Sequence, residues 1–328
     1  MSIVHAKCPL CGGEVYRFGN RRRRCSQCGH TYSIRPKKRG RKCARTGRKL
    51  PQLILLEKHS ARQLTARYGS SSATLRYHVR KQMTAIVQRP VSLTLPDGDL
   101  VLLVDGLWST FQDKYWVLYN MAIKPVNENL AYFLDPVQRC GRENARGWEA
   151  ALSTLSWDLK ERIRALISDG LPGFEAIARR HWWHNQFCHW HLLTSLESKL
   201  GRRRRVLGSR WLRERIYVLV REALVTTDEE RLRLLTEQLK QLTGRWDCTR
   251  PLRWTVSEFL SRANYYRAYL RYPELRLPTT TGAIESMHGL LREAIGSVNN
   301  PEAVLLRATA FLRLRRSITC NGSVLQQN

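Results

Sequence analysis

Two short apolar runs, LVLLVDG (100–106) and RIRALISDG (162–170), each end in Asp-Gly. Their length and their leucine, isoleucine and valine content are typical of strands buried inside a sheet. Two more strand-like runs, KYWVLYNMAIK (114–124) and NLAYFLDPV (129–137), follow the first, with Gly, Pro and Asn residues between them. This punctuation favours an antiparallel meander.

Helical patterns separate the later strands. The segment 143–160 predicts one helix, Pro172 begins another over 172–180, and NQFCHW (185–190) predicts a fifth strand. The order β-β-β-α-β-α-β is that of an RNase H-like domain, whose first strand lies at the centre of the sheet with the fourth beside it. The sequence therefore predicts a mixed five-stranded sheet with helices, within a multidomain α+β protein.

Asp105 and Asp169 would then stand side by side at the ends of adjacent buried strands. Two carboxylates held that close repel each other and do not both stay ionised without cations between them. Mg²⁺ (or Mn²⁺) takes oxygen ligands and leaves positions open for phosphate oxygens. Two such acids in a highly basic chain favour a metal site over the alternative, in which each Asp-Gly simply begins a turn.

A third carboxylate is expected in the helical segment TTTGAIESMHGLLREAIG (279–296). Glu285 is the best candidate, and His288, three positions later, lies on the same helix face. The alternative is a solvated helix glutamate, and the spacing alone does not separate Glu285 from Glu293.

The charge of the chain indicates a polyanionic partner. Among 328 residues, 56 Lys and Arg stand against 27 Asp and Glu, a formal net charge of +29. Lys and Arg gain affinity for nucleic acid by releasing the counterions condensed on phosphates. The positive charge is clustered, at 21–24, at 37–42 and in GRRRR (201–205), which favours nucleic acid over a merely basic surface. We expect double-stranded DNA as the partner, with Arg202, Arg203 and Arg204 as candidate contacts.

Four of the nine cysteines form two CxxC pairs near the N-terminus, namely Cys8, Cys11, Cys25 and Cys28. Each pair is followed by glycine and predicts a tight knuckle that points two thiolates at one tetrahedral ion. We expect a zinc ribbon over residues 1–36 that depends on Zn²⁺ to fold, because the segment is too short for a core of its own. The odd number of cysteines and the CxxC pairs favour metal binding over a disulfide framework.

A basic run at 37–50 follows the predicted ribbon. It is either a solvated linker or an arm that enters the minor groove of DNA through Arg39 and Arg41.

Residues 51–90 predict a helix-turn-helix domain, in which Ser60 and Ser72 cap the two helices on either side of Gly69. Its inner face would carry Leu64, Ala66, Leu75 and Val79. The recognition helix is expected at 72–82, although any short helical hairpin has a similar pattern. The residues expected to face DNA are Ser72, Thr74, Arg76, Tyr77 and Arg80.

Nothing in the sequence predicts a membrane segment or a nucleotide site. No apolar run approaches the roughly 18–20 residues that span a bilayer, and no GxxxxGK[ST] motif for a nucleoside triphosphate is present. We expect a cytoplasmic, nucleoid-associated protein.

Three motifs resemble those of the Mutator-like superfamily of DDE transposases, including its bacterial insertion-sequence branch. ISDGLPGFEAI (167–177) resembles the motif around the second aspartate of that family. QFCHWH (186–191) resembles its Q-x-C-x-x-H signature, and TTTGAIESMHGLLRE (279–293) its glutamate segment. The motifs occur in the order found in the family.

The resemblance implies that Asp105, Asp169 and Glu285 bind the catalytic Mg²⁺ ions and that a helical insertion separates the second Asp from the Glu. The implied segments are 98–191 for the first part of the core, 192–278 for the insertion, 279–316 for the C-terminal core helices and 317–328 for a frayed tail. In the insertion, Arg and Trp of RWDCTRPLRWT (245–255) either form the outer face of amphipathic helices or clamp DNA.

The stretch NQFCHWHLL (185–193) could hold a second zinc ion or a catalytic Cys/His pair. The remaining cysteines form no further CxxC, and a cysteine nucleophile would leave the two aspartates without a role. We therefore expect Cys188 and His191 to support the catalytic site, where His191 contacts the region of the scissile phosphate or fixes the end of the strand.

The predicted function is that of an insertion-sequence transposase, which binds the inverted repeats at the ends of its element and cuts and joins DNA by in-line phosphoryl transfer. Pairing of two ends leads us to expect a homodimer or higher oligomer. The alternatives are a catalytically silent DNA-binding regulator and an RNase H-like nuclease or resolvase that cuts without joining.

Overall fold

The computed structural model describes residues 7–19, 22–33, 49–90, 93–199, 209–298 and 300–320. The chain divides into two compact units. The first comprises residues up to 50 together with 59–79, and the second comprises 51–58 together with 80 onwards.

A small antiparallel sheet opens the first unit. Its strands lie in chain order: β1 (Val15–Arg17), β2 (Arg22–Cys25) and β3 (Thr31–Ser33). Three helices follow in the chain: α1 (Leu50–Leu55), α2 (Ala61–Tyr68) and α3 (Ser72–Val87).

Capping residues mark both ends of α2 and the start of α3. Ser60 caps α2 as predicted, in a reciprocal capping box with Gln63, and Gly69 ends the helix at a φ of 58°. The cap of α3 is Ser71 and not Ser72, because the Oγ atom of Ser71 accepts the backbone N–H of Thr74 at 3.2 Å. The predicted helical pair is therefore present, and its second helix continues five residues beyond the expected end.

The second unit is built on a mixed sheet of seven strands, where five were predicted. Its central run follows the order β10-β6-β5-β4-β8-β9, and β7 pairs with β5 beside β6. The strands are β4 (Leu100–Phe111), β5 (Lys114–Pro125), β6 (Leu130–Phe133), β7 (Val137–Cys140), β8 (Ile163–Ser168), β9 (His184–Phe187) and β10 (Ser317–Thr319). As expected, β4 lies inside the sheet with β8 beside it, in parallel.

The two additional strands are too short to produce an alternating pattern in the sequence. β7 extends the meander beyond Asp135-Pro136 and pairs with the first half of β5. β10 pairs with β6, so the chain after residue 316 is part of the sheet, where a frayed tail was predicted. Residues 321–328 of that predicted tail lie outside the described ranges.

Helices cover both faces of the sheet. On one face, α4 (Ala145–Leu152), α5 (Trp157–Arg162) and α6 (Phe174–Arg180) contribute to a core in which Trp148 and Phe174 pack near Tyr119. The predicted single helix at 143–160 is interrupted because Ser156 caps a new helix through the N–H of Leu159. Each fully buried aromatic or aliphatic side chain in such a core contributes about 1.5–3 kcal/mol to folding.

On the other face, α13 (Gly282–Ile295) contacts β4 and β5, and α14 (Pro301–Arg315) packs on α13. Pro301 stands in the first turn of α14, and Asn300 caps the helix by accepting the N–H groups of Glu302 and Ala303.

The predicted insertion is helical in its described residues. Its helices are α7 (His189–Lys199), α8 (Arg210–Val225), α9 (Glu229–Gly244), α10 (Arg250–Ser261), α11 (Ala263–Tyr266) and α12 (Ala268–Arg271), followed by a 3₁₀ turn at Pro273–Leu275. They enclose a leucine-rich core of their own, which includes Leu196, Leu219, Leu239 and Phe259. None of the helices in the described ranges combines the length and apolar character needed to cross a bilayer.

Candidate metal centres

Asp105 lies in the middle of a strand and not at its end as predicted. β4 continues to Phe111 because it forms a long hairpin with β5, but its pairing with β8 stops after Leu103 and Ile167. Carried two residues further, the same parallel register places Asp105 opposite Asp169, which directly follows the last residue of β8. The two aspartates therefore occupy the position where one strand continues and its neighbour ends.

Asp105, His191 and Glu285 form a compact group whose donor atoms all lie within 4.8 Å of one another. The Nε2 atom of His191 is 2.9 Å from Oε1 of Glu285. Asp105 is only 8% exposed, and among the described residues its buried Oδ2 atom has no hydrogen-bond partner. Two carboxylates, one of them with an unsatisfied buried oxygen, and an imidazole can hold a divalent cation.

Asp169 is not part of this compact group. Its Oδ1 atom accepts the N–H of Leu171 at 3.0 Å, which orients the carboxylate at the start of the loop after β8. Its negative charge still acts on the group, since burial, then Glu285, and also Asp169 raise the pKa of Asp105 to about 9.

The two carboxylates of the group ionise with opposite tendencies. Burial opposes ionisation of Glu285, but His191 and Asp105 outweigh it and lower the pKa of Glu285, whereas the pKa of Asp105 is raised. Two carboxylates held this close resist carrying two full negative charges. A bound cation would neutralise the pair.

Cys188 directly follows β9 and His191 lies in the first turn of α7; both support the group, and His191 also belongs to it. Burial alone lowers the pKa of His191, but Cys188 and Glu285 outweigh it and raise the pKa to about 11. Burial likewise opposes ionisation of Cys188, yet His191 and Thr281 lower the pKa of its thiol. His191, predicted as a supporting residue, therefore stands among the donor atoms themselves.

His288 supports Asp105 from α13. Its Nδ1 atom is 3.7 Å from Oδ2 of Asp105, and its Nε2 atom is 3.0 Å from Nδ2 of Asn120. Burial lowers the pKa of His288 to about 4, so the ring is neutral. Because the Asn120 amide donates to Nε2, the remaining ring proton lies on Nδ1 and faces Asp105. The sequence motifs did not include Asn120, which is directly opposite Asp105 on β5.

Hydrogen bonds join the segment that precedes the helical insertion to the segment that follows it. The backbone N–H and Oγ1 of Thr281 both donate to Sγ of Cys188, at 3.3 and 3.4 Å, and the N–H of His189 donates to Thr279. Gln186 accepts the N–H of Tyr269 and donates to the carbonyl of Tyr266. The glutamine and cysteine of the Q-x-C-x-x-H pattern thus fix β9 to the chain that returns from the insertion.

His189 contributes a pH-dependent part of this contact. Its Nε2 atom is 2.6 Å from the carbonyl of Tyr266, and burial lowers its pKa from 6.5 to about 4. The unfolded chain therefore takes up a proton at higher pH than the folded chain, and stability is lost as the pH falls from about 6.5 to about 4.

We expect His189→Gln to remove this loss while keeping a donor to Tyr266. Between pH 7 and pH 4, the difference in unfolding free energy should shift by roughly 3 kcal/mol in favour of the variant. Urea denaturation at the two pH values measures it, with His78→Gln on α3 as the control. An unchanged difference between wild type and His189→Gln would contradict a neutral buried His189.

Glu143 is a fourth acidic side chain near the group, and the sequence analysis did not identify it. Its two carboxylate oxygens accept the indole N–H groups of Trp108 at 3.1 Å and Trp148 at 2.8 Å. Burial and then the charge of Asp169 raise its pKa. A Cβ atom on Gly106 would lie 2.4 Å from Oε2 of Glu143, so a side chain at this position would displace the carboxylate from the two tryptophans that bind it. A glycine inside a strand was the available signal of this close approach.

The four predicted zinc ligands come together in the first unit. Cys8, Cys11, Cys25 and Cys28 have all their sulfur atoms within 4.8 Å of one another. Gly12 and Gly29 adopt φ angles of 71° and 70° and donate to the carbonyls of the first cysteine of each pair, so the two knuckles are alike. Backbone N–H groups, that of Cys28 foremost, lower the pKa of Cys25 to about 6, which favours the thiolate that a metal requires.

The helix predicted to contact DNA exposes the expected side. Ser72, Arg76, Tyr77 and Arg80 are exposed and Thr74 is half-buried. Leu64, Leu75 and Val79 are buried, whereas Ala66, predicted on the inner face, is exposed. The other predicted contacts, Arg39, Arg41, Arg202, Arg203 and Arg204, lie outside the described residues.

The Arg and Trp residues of 245–255 have different roles. Arg245 pairs with Asp247, and Arg253 donates to the carbonyls of Thr243 and Arg245 at the end of α9, so both guanidinium groups have partners within the protein. Trp246 and Trp254 are 92% and 68% exposed.

In the described part of the chain, two clusters of His, Cys, Asp or Glu residues could hold a metal ion: the carboxylate-histidine group and the four-cysteine cluster. No model of a known protein family matches the sequence, and no curated protein shows significant similarity to it.

Proposed function

We propose that this protein is a DDE-type transposase that binds the terminal inverted repeats of its insertion sequence and catalyses Mg²⁺-dependent strand cleavage and strand transfer. The observation that carries the proposal is the group of Asp105, Glu285 and His191, with Asp169 opposite Asp105 in the strand register. The strand order around β4 and the net charge of +29 support an RNase H-like domain that acts on DNA. The three motifs that resemble the Mutator-like superfamily contain Asp169, His191 and Glu285, and Asp105 lies outside them on β4.

The chain's own residues would hold and order the reacting groups. Asp105, Glu285 and Asp169 supply oxygen ligands, and His288 and Asn120 keep Asp105 in place. When bound, divalent cations activate water or a 3′-hydroxyl and stabilise the leaving 3′-oxygen of an in-line displacement. In the first unit, Zn²⁺ on the four cysteines would hold the ribbon, and the exposed side of α3 would read element ends.

Incubation of the purified protein with Mg²⁺ and donor DNA that carries the inverted repeats flanking its gene tests the proposal. We expect cleavage and joining that depend on the metal and disappear in Asp169→Ala, while DNA binding persists. Asp158→Ala, an exposed aspartate on α5, is the matched control and should retain both steps.

The outcomes separate the three candidate functions. Binding of the repeats without any strand cleavage contradicts the transposase and points to a DNA-binding regulator. Cleavage without joining points to a nuclease or resolvase. Cleavage that survives in Asp169→Ala would show that the catalytic centre lies elsewhere.

A further inference from the structure

A cavity of about 220 Å³ lies between the β4–β5 hairpin and the C-terminal helices α13 and α14. Its walls are mainly apolar and include Leu107, Phe111, Leu118, Ile295, Val298 and Val304. One cationic residue, Arg292, also lines it. The proposed transposase chemistry uses none of these residues.

β4 and α13 contribute residues both to the cavity and to the carboxylate-histidine group, and the two sites lie next to each other along both elements. Alternate residues of a strand share a face, so Leu107 follows Asp105 on β4 at a distance of roughly 7 Å. On α13, Glu285, His288 and Arg292 lie at helical spacing along one face. A DNA strand whose phosphate meets the carboxylates therefore has its next nucleotide at the cavity.

Arg292 is suited to bind an anion there. It is exposed on α13, and within the described part of the chain no acidic side chain pairs with its guanidinium. The guanidinium of Arg307, by contrast, already has partners within the protein, because its Nη1 atom donates to the carbonyls of Ala294 and Ile295 at the end of α13. Arg292 thus places a cation on a face whose other charged groups are carboxylates that would hold metal ions.

The size and lining of the cavity select one kind of occupant. Its volume is below the roughly 300–1,000 Å³ of sites for drug-sized ligands, so it suits a single planar ring system. Apolar walls accept the face of a base without reading its sequence, and an arginine beside them binds the adjoining phosphate. A fully paired base is stacked in the duplex and cannot enter.

We propose that this cavity receives an unpaired nucleobase next to the phosphate at the carboxylate centre, with Arg292 on the adjoining phosphate. The inference rests on the proposed function, because it requires a DNA strand at that centre. It adds a preference for DNA whose end is locally unpaired, a property that the carboxylates alone do not confer.

Two duplexes of the same arbitrary sequence test the proposal with the full-length protein. One is fully paired, and the other carries a short unpaired flap whose first base is 2-aminopurine. Ca²⁺ replaces Mg²⁺ to prevent cleavage. We expect the flap duplex to bind about tenfold more tightly than the paired duplex. We also expect the fluorescence of the 2-aminopurine to change on binding.

Two variants alter the cavity without replacing the buried side chains that line it. Val298→Trp fills it from the half-buried segment after α13, and Arg292→Ala removes the exposed cation; both should bring the flap and paired affinities to near equality. Arg315→Ala, which removes an exposed arginine from the last turn of α14, should retain the preference.

The outcomes distinguish this inference from the proposed function. Equal binding of flap and paired DNA by the wild type overturns the cavity proposal and leaves DNA binding intact. Absence of binding to either DNA contradicts the proposed function and the cavity proposal with it. If Val298→Trp retains the flap preference but dissociates an oligomer in sedimentation, the cavity belongs to a second copy and the proposal is wrong.

Discussion

Glu285→Gln should abolish metal-dependent strand cleavage, whereas Glu293→Gln on the same helix should leave it unchanged. The reason is the position of each carboxylate. Glu285 lies within the donor group, 2.9 Å from His191, whereas the exposed Glu293 pairs with Lys58 at 2.6 Å. Removing one carboxylate from the metal site costs several kcal/mol of transition-state stabilisation, a loss of at least about a thousandfold in rate. Rates of cleavage of labelled donor DNA measure it.

Stabilisation by bound metal compares the same two variants without requiring catalysis. The wild type should gain about 2.7 kcal/mol of stability when Mg²⁺ or Mn²⁺ is present at a hundredfold excess over its Kd. The thermal shift should persist in Glu293→Gln and disappear in Glu285→Gln. Loss of cleavage in Glu293→Gln with retention in Glu285→Gln would reverse the assignment that the sequence spacing left open.

Removal of zinc should unfold the ribbon and leave the second unit folded. Structural zinc supplies on the order of 10 kcal/mol to small domains, and three strands of three or four residues cannot replace it. A chelator or Cys25→Ser should therefore expose β1–β3 to protease and to hydrogen exchange. The amides of β4 and β8 should remain protected.

Cys140→Ser is the matched control, because Cys140 is an exposed cysteine on β7, outside the four-cysteine cluster. It should leave the protection of β1–β3 unchanged and the zinc content at one ion per chain. Undiminished protection of β1–β3 in the chelated protein would contradict a structural metal site.

The sequence predicted those parts of the fold that leave a periodic or compositional pattern. β4 and β5 are long and β8 is mostly apolar, and the capping residues Ser60 and Gly69 mark the two ends of α2. β7 and β10 leave no such pattern, because each has only three or four residues and its pairing depends on distant parts of the chain.

The site was predictable where an acidic residue stands in a recognisable sequence pattern: Asp105 follows an apolar strand-like run, and Glu285 lies in a motif of the resemblance. Its supporting residues were not. Asn120 lies in an otherwise apolar strand, and Glu143 lies in a loop before α4, so only the folded sheet brings them to Asp105 and Gly106. Asp105 was placed wrongly at a strand end, because Asp-Gly commonly marks a turn and here the glycine accommodates Glu143 instead.

The hydrogen-bonded closure between Cys188 and Thr281 and between Gln186 and Tyr269 makes the helical segment exchangeable. The chain leaves the sheet after β9 and returns beside the end of β9 at Thr279–Thr281, and α7–α10 carry their own core. Helices can therefore lengthen, shorten or be replaced there without altering the spacing of Asp105 and Glu285. Under the proposed function, this segment can change its own contacts while the carboxylate-histidine group stays in place, and a foreign helical module could be grafted at the same junction.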